Sequence, residues 1–456
     1  SGCMKLGPDY KRPDTGIQVP AKFHHAPPDA SPVRLLDRWW QVFQDPVLNR
    51  LVPEALKNNL DIKRAAARVQ EVQAVLKQTH AGRFPTLGLQ GEAKRQQFAT
   101  IRGIPFYSGQ KTTIYSISVP ASFELDLWGK LARSEEAALG DLMAAEASRR
   151  TVAQTVAAET AALYFQIQAL ERRIQIAENS IVSYKRSLEF VENRYRRGLT
   201  SVLDVRQARR VLAQGESTLP PLRQDLGITQ QNLAVLLGRY PETRPARPQP
   251  ADWFQLPEEV PAGLPSELLM RRPDIMASEA NLKAANARVG VAYASRFPSI
   301  SLTGNLGYSS NELSQLLTLN GSLWSIALGI TQPLFDAGKL KAAQAAAEAR
   351  YRQTEADYAR TLLTAFSEVE KALLTREEQL KQRERLLVLV DEARATQEVA
   401  QSRYIRGLET YLTVLEAQQT RYQSEDGLIL VDLSILTNRV TLHRALGGGW
   451  EVTYGH

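Results

Sequence analysis

One cysteine, Cys3, occurs in 456 residues, so no intramolecular disulfide can form and the fold must hold through packing alone. No apolar run approaches the roughly 18–20 residues of a membrane-crossing helix, so contact with a bilayer would need a lipid or a β-barrel. The five histidines, His24, His25, His80, His443 and His456, show no metal-ligand spacing. Gly129-Lys130 and Gly338-Lys339 lack both the earlier glycine and the following Ser or Thr of a phosphate loop. The many carboxylates fall in helical runs, where the default is a solvated face. These absences argue against an enzyme and call for no metal or cofactor. Net charge is +7, but the basic residues are scattered as doublets such as Arg149-Arg150 and Arg271-Arg272 among nearly as many acids. A nucleic-acid binder concentrates its charge on one face, so that function is disfavoured too. Aromatics make up only 7%. The middle of the chain is instead rich in alanine, glutamine, arginine and glutamate, the palette of long packed helices.

What is present is a chain written twice. Arg194–Ala208 and Arg403–Ala417 coincide at eight of fifteen positions. Gly198 and Gly407 fall where a helical run ends, as the left-handed C′ position requires. Ser201 with Asp204 reads as a capping box, and Thr410 as the cap of the second copy. Asp274-Ile275 answers Asp61-Ile62, and Arg296-Phe-Pro-Ser answers Arg83-Phe-Pro-Thr, both 213 residues apart.

Each copy reads as helix, hairpin, long helix, turn and return helix. Residues 1–38 are proline-rich and extended. The first repeat spans 39–238, with a β-hairpin about 86–125 and a turn about 198–201. In Ile114–Leu125, Tyr115, Ile117, Val119, Ala121, Phe123 and Leu125 alternate with mostly small polar residues. The run from Gly129 to Arg197 is proline-free and predicts a helix of about 100 Å. Pro220-Pro221 should kink or break the returning helix. Seven prolines in 239–265 mark a linker, the equatorial region of the chain. The second repeat, 266–446, has its hairpin about 299–334 and its turn about 407–410, and 447–456 form a tail.

Four alternating strands are too few to close a barrel, and open edges are not tolerated in lipid. The chain must then oligomerise if these strands enter a membrane, and a dimer or a trimer satisfies that demand. Without a membrane, the same alternation suits a soluble β-sandwich on coiled coils. Ser1-Gly2-Cys3 resembles the end of a bacterial lipoprotein signal, in which the cysteine is acylated.

The chain resembles the outer membrane factor family, and more narrowly its lipoproteins that serve resistance-nodulation-division (RND) multidrug pumps. The marks, spread over essentially the whole chain, are Cys3 followed by Gly7-Pro8-Asp9-Tyr10; Trp39-Trp40 through Asp45-Pro46; Phe123 through Lys130; Arg271-Arg272-Pro273-Asp274-Ile275; Gln332 through Lys339; and Ala445 through Trp450. The resemblance implies a mainly α fold with a membrane β-barrel. Three protomers would build a twelve-stranded barrel continuous with a long periplasmic α-helical barrel. It implies a passive, non-enzymatic exit duct in the outer membrane, working with a periplasmic adaptor and an inner-membrane RND transporter. Diacylglycerol and an N-acyl chain would sit on Cys3, and Met4 after it fits outer-membrane sorting. The resemblance further implies a periplasmic gate with Leu412 as an apolar ring and Glu416 as a charged ring. Arg403 and Tyr404 would latch it, and Gln419 stands where arginine is common. In the first repeat Gly198, Thr200, Ser201, Asp204 and Gln207 would face the adaptor; Gly407 and Thr410 are their counterparts.

Overall fold

The computed structural model describes residues 5–26, 38–97, 111–247, 253–256 and 271–448. Cys3 and the loop containing Gly103, Pro105 and Gly109 lie outside them, as do most of the proline-rich linker and the tail from Gly449. The chain divides into two compact units. One comprises residues 1–16, 68–146 and 277–359, the other 17–67, 147–276 and 360–456.

The first unit holds one antiparallel sheet of β1 (Thr86–Leu87), β2 (Gln90–Gln97), β3 (Lys111–Leu125), β4 (Ser299–Ser310) and β5 (Ser322–Thr331). β1 and β2 pair β3 in one continuous register, Thr86 opposite Ser122 and Gln90 opposite Ser118. They are one strand interrupted opposite Pro120. The Gly88 amide donates to the Pro120 carbonyl, but proline has no N–H to return the bond. The sheet therefore has four effective strands, with β3 and β4 central. Its register aligns the apolar positions on one face, with Phe123, Leu302 and Leu328 in one row and Val119, Leu306 and Trp324 in another. The opposite face aligns Ser122 with Thr303, and Glu124 with Ser301 and Gly329. Trp324, Ile326, Leu328 and Ile330 are each more than 60% exposed, so nothing among the described residues covers the apolar face of β5.

An N-terminal strap is fastened to the same unit. The Arg133 side chain is 2% exposed and donates to the carbonyls of Leu6 and Gly7 and to Asp9. Its hydrogen bond and charge hold the Asp9 carboxyl below the usual range. A Cβ on Gly7 would stand 2.6 Å from the Gly290 Cα, so the strap fits only because residue 7 is glycine. Asn286 donates to the Pro8 carbonyl, and Tyr10 and Arg12 both donate to Glu279.

The second unit is helical. α1 (Leu48–Asn58) and a short 3-10 turn at Trp39–Phe43 bury Trp39, Trp40 and five aliphatic side chains against Tyr164, Phe165, Leu436 and Val440. α2 (Leu60–Ala81) precedes the first hairpin, and α5 (Pro273–Ala294) precedes the second. The long helices α3 (Lys130–Arg196) and α6 (Lys339–Ile405) have 67 residues each, their returns α4 (Val202–Leu236) and α7 (Tyr411–Ala445) 35 each. α4 runs unbroken through Pro220 and Pro221, against expectation. The two carbonyls that lose their donors belong to Glu216 and Ser217, both exposed, so water can satisfy them.

Arg272 joins three elements. Its guanidinium bonds Asp274 through two nitrogens, pairs with Glu368 on α6 at 2.8 Å and donates to the Ala445 carbonyl at the end of α7. The side chain is 8% exposed, so Arg272→Ala strips a buried cation from two carboxylates. We expect a loss on the order of 3 kcal/mol, read as a lower thermal unfolding midpoint in detergent, with Arg272→Lys intermediate because it lacks the planar fork.

His443 is buried, stacked on Trp39 at 5.4 Å with rings 18° apart. Burial, with the nearby Arg439 charge, pushes its pKa down to about 3. The unfolded chain protonates near pH 6.5, so this contribution to stability is whole above that pH and is lost as pH falls toward 3. The slope reaches at most about 1.4 kcal/mol per pH unit. Thermal midpoints should drop from pH 6.5 to 5 in the natural chain and drop less in His443→Phe. Parallel profiles would exclude His443 as the source.

Candidate functional site

The two repeated turns have the same construction. At the first, Gly198 takes φ +70° and donates to the Tyr195 carbonyl, while Leu199 donates to that of Arg194. At the second, Gly407 takes φ +74° and donates to Tyr404, while Leu408 donates to Arg403. This paired bonding stops a helix on a left-handed residue. The next helix starts at once. Ser201 accepts from the Asp204 amide and Asp204 accepts from the Ser201 amide, the expected capping box. Thr200 donates to the same Asp204 carboxylate. Thr410 accepts from the Thr413 amide.

A small core holds these turns together: Val191, Val205, Ala208 and Val211 of α3 and α4 against Tyr404, Tyr411, Val414 and Leu415 of α6 and α7. Tyr404 is buried, its ring 5.3 Å from Tyr411 and 6.0 Å from Phe190, with the Arg194 guanidinium 5.2 Å above it. Burial raises the pKa of Tyr404 and of Tyr411. Tyr184, further along α3, is pushed up to about 12 by burial and by Tyr422. Arg403 reaches Glu409 at 3.8 Å within its own turn.

Leu412 is 45% exposed, and Glu416, one helical turn on, is exposed on the same face of α7. The opposite face carries Val414, Leu415 and Gln418, which are buried, with Gln418 donating to Ser187 of α3. Gln419 is half-buried and borders a groove shared with Tyr184, Tyr422 and the Arg173–Asp426 pair. Gln207 is half-buried on α4. The fold thus brings Tyr404, Thr200 and Asp204 to one core. It leaves Leu412 and Glu416 on a face that nothing among the described residues covers.

Ion pairs bind α7 to the long helices above the turns. Arg394 reaches the buried Glu425 at 2.8 Å, Arg383 reaches Asp432 at 2.6 Å, and Arg173 of α3 holds Asp426 through two nitrogens. Burial raises the Asp432 pKa despite its arginine. Sequence reading missed these pairs and the buried Tyr411, Gln418 and Arg133. The i,i+3 and i,i+4 apolar spacing of Tyr411, Val414 and Leu415 was the available signal for the turn core. The Arg133 fastening had none, because two of its four acceptors are backbone carbonyls and its partner Asp9 lies 124 residues away.

Near the turns, exposed apolar side chains cluster: Leu199, Val202 and Leu203 at the first, Ile405 and Leu408 at the second. No group of three metal-ligating side chains occurs among the described residues. The arrangement is one of surfaces, with an apolar sheet face, a polar sheet face and exposed turns.

The family model for outer membrane efflux proteins matches residues 51–239 and 264–448. The cation efflux system protein CusC of Escherichia coli O6:H1 is 34% identical over 459 residues, covering 99% of this chain and 96% of that protein. The solvent efflux pump outer membrane protein SrpC of Pseudomonas putida is 34% identical over 456 residues, with the same coverage. Among solved structures, the outer-membrane channel OprN superposes with a TM-score of 0.91 at 29% identity, covering 98% of this chain and 99% of that one. The strands with one apolar face, the paired helical turns and these likenesses lead to one conclusion: the chain belongs to the outer membrane efflux protein family, and is a non-enzymatic efflux channel of the outer membrane.

Proposed function

We propose that three copies of the chain form the passive exit duct of a tripartite RND-type pump, gated at the helical turns by Leu412 and Glu416. The observation that carries the assembly is the open sheet. The outer edges of β2 and β5 have no partner among the described residues, and the apolar face of β5 is bare. Lipid offers nothing to such edges, so other copies must supply the missing strands. Two copies give eight strands, whose interior side chains fill. Three give twelve, leaving room for a lumen lined by Ser122, Thr303, Ser301 and Gly329. A diacylglycerol and an N-acyl chain on Cys3 would add a lipid anchor.

A pore in the outer membrane has no energy source of its own. The exposed leucines and valines of the turns suit docking of a periplasmic adaptor that joins the duct to an inner-membrane RND transporter. Names of relatives refer to cations in one case and solvents in another. That range suits a lumen of small polar groups, with substrate choice made by the transporter.

Leu412 and Glu416 of three copies would meet around a common axis, an apolar ring beside a charged one. Arg403 and Tyr404 would hold the turns closed, Gln419 would border the constriction, and Thr200, Ser201, Asp204 and Gln207 would face the adaptor. Three carboxylates at one level repel one another and favour cations.

Native mass spectrometry in detergent should give three chains per particle; a two-chain particle would exclude the twelve-stranded barrel. In planar bilayers, Leu412→Ala with Glu416→Ala should raise single-channel conductance several-fold, and Glu416→Gln alone should lower cation preference. Conductance and selectivity equal to the natural chain's would remove the gate from this face.

A further inference from the structure

The segment Arg239–Arg247 (RYPETRPAR) leaves α4 and takes no part in the duct or its turns. It is a built loop. Gly238, at φ +67°, stops α4 with the paired amide bonds seen at the two turns. Arg239 then grips Glu54 of α1 through two nitrogens, both at 2.6 Å. The Arg244 amide donates to the Gln230 side chain at 2.6 Å, and the Arg247 amide to the buried Glu171 at 3.1 Å. Ala246 packs on the Leu170, Leu222 and Leu226 cluster. Two prolines, Pro241 and Pro245, limit what remains free.

This fastening uses the backbone of Arg244 and Arg247 and leaves their heads unused. Together with Arg50 of α1, these residues border a cavity of about 410 Å³, within the size range of small-molecule sites. All three side chains are exposed, and among the described residues their guanidinium groups enter no ion pair or side-chain hydrogen bond. Two carboxylates share the lining. Glu171 is buried and holds the Arg247 amide; Glu242 is exposed. Tyr240, 85% exposed, adds an aromatic face. Long side chains carrying unpaired charge usually scatter over a surface. Here a pinned loop and a helix bring three of them around one hollow.

We propose that this cavity is a binding site for a multiply charged anion carrying carboxylate or phosphate groups. The guanidinium fork matches both oxyanions through two parallel N–H bonds, which an ammonium cannot do. With its backbone fixed, the loop loses little freedom when the arginines are engaged. Charge-assisted hydrogen bonds of this kind contribute about 1.5–3 kcal/mol each, so each arginine should be worth about tenfold or more in affinity.

The experiment is isothermal titration calorimetry of the detergent-solubilised full chain at low salt, with citrate as the carboxylate probe and pyrophosphate as the phosphate probe. One saturable site per chain is expected for at least one probe, weakening with added salt. Tighter binding of citrate would assign the natural ligand to carboxylates, and tighter binding of pyrophosphate to phosphates. Arg50→Gln, Arg244→Gln and Arg247→Gln should each weaken binding about tenfold, with unfolding midpoints unchanged because these heads support nothing in the fold. Arg64→Gln, an exposed arginine of α2, should leave affinity as it was. Absence of saturable heat with both probes, or equal affinity in the triple variant, would overturn the site.

Discussion

An open β-sheet cannot stand in lipid, and the organisation of this chain follows from that constraint. Backbone groups on an exposed edge cost several kcal/mol each in hydrocarbon. Four strands with one apolar face have no closed solution within a single copy. In the proposed assembly the sheet is a fraction of a larger barrel. Its register supports this, since rows such as Phe123–Leu302–Leu328 present a continuous apolar band while serines and threonines align behind it. The helices then inherit the need for several copies, because the same chain runs from strand into helix in each repeat. Asp126 accepts from the Leu131 and Ala132 amides at the start of α3, and Asp336 from the Leu340 amide at the start of α6.

Much of this is legible in the sequence alone. Period-2 alternation after Pro85 and again after Pro298 located the strands. The duplicated Arg-Tyr-x-Arg-Gly-Leu located both turns, because glycine at a left-handed position and a hydroxyl three residues before an amide each have a local physical cause. Local causes are what a sequence displays. The break opposite Pro120 was harder, since it depends on which residue of the partner strand needs the missing N–H. The double proline in α4 misled for a related reason. A lost hydrogen bond costs most where the freed carbonyl is buried, and at Glu216 and Ser217 it is not. The proposed gate residues, Leu412 and Glu416, rest on family resemblance; the structure adds only that both side chains are exposed on one face of α7.

The ion pairs along α7 show why the helical part needs no large apolar core. Long two-helix segments have little interior. Buried Glu425 and Asp432, each met by an arginine from α6, specify which turn of one helix meets which turn of the other. Such pairs add modest net stability but penalise any shifted register, since a slipped helix would leave charges buried and alone. The buried Gln418, bonded to Ser187, acts similarly between α7 and α3.

The strap held by Arg133 bears on the order of events during folding. The seats of its residues lie far down the chain, 124 residues away from Asp9 for Arg133 and 278 from Pro8 for Asn286. Contacts so distant in sequence form late, because the intervening loop must close before they return anything. The strap is therefore among the last parts of the fold to be seated.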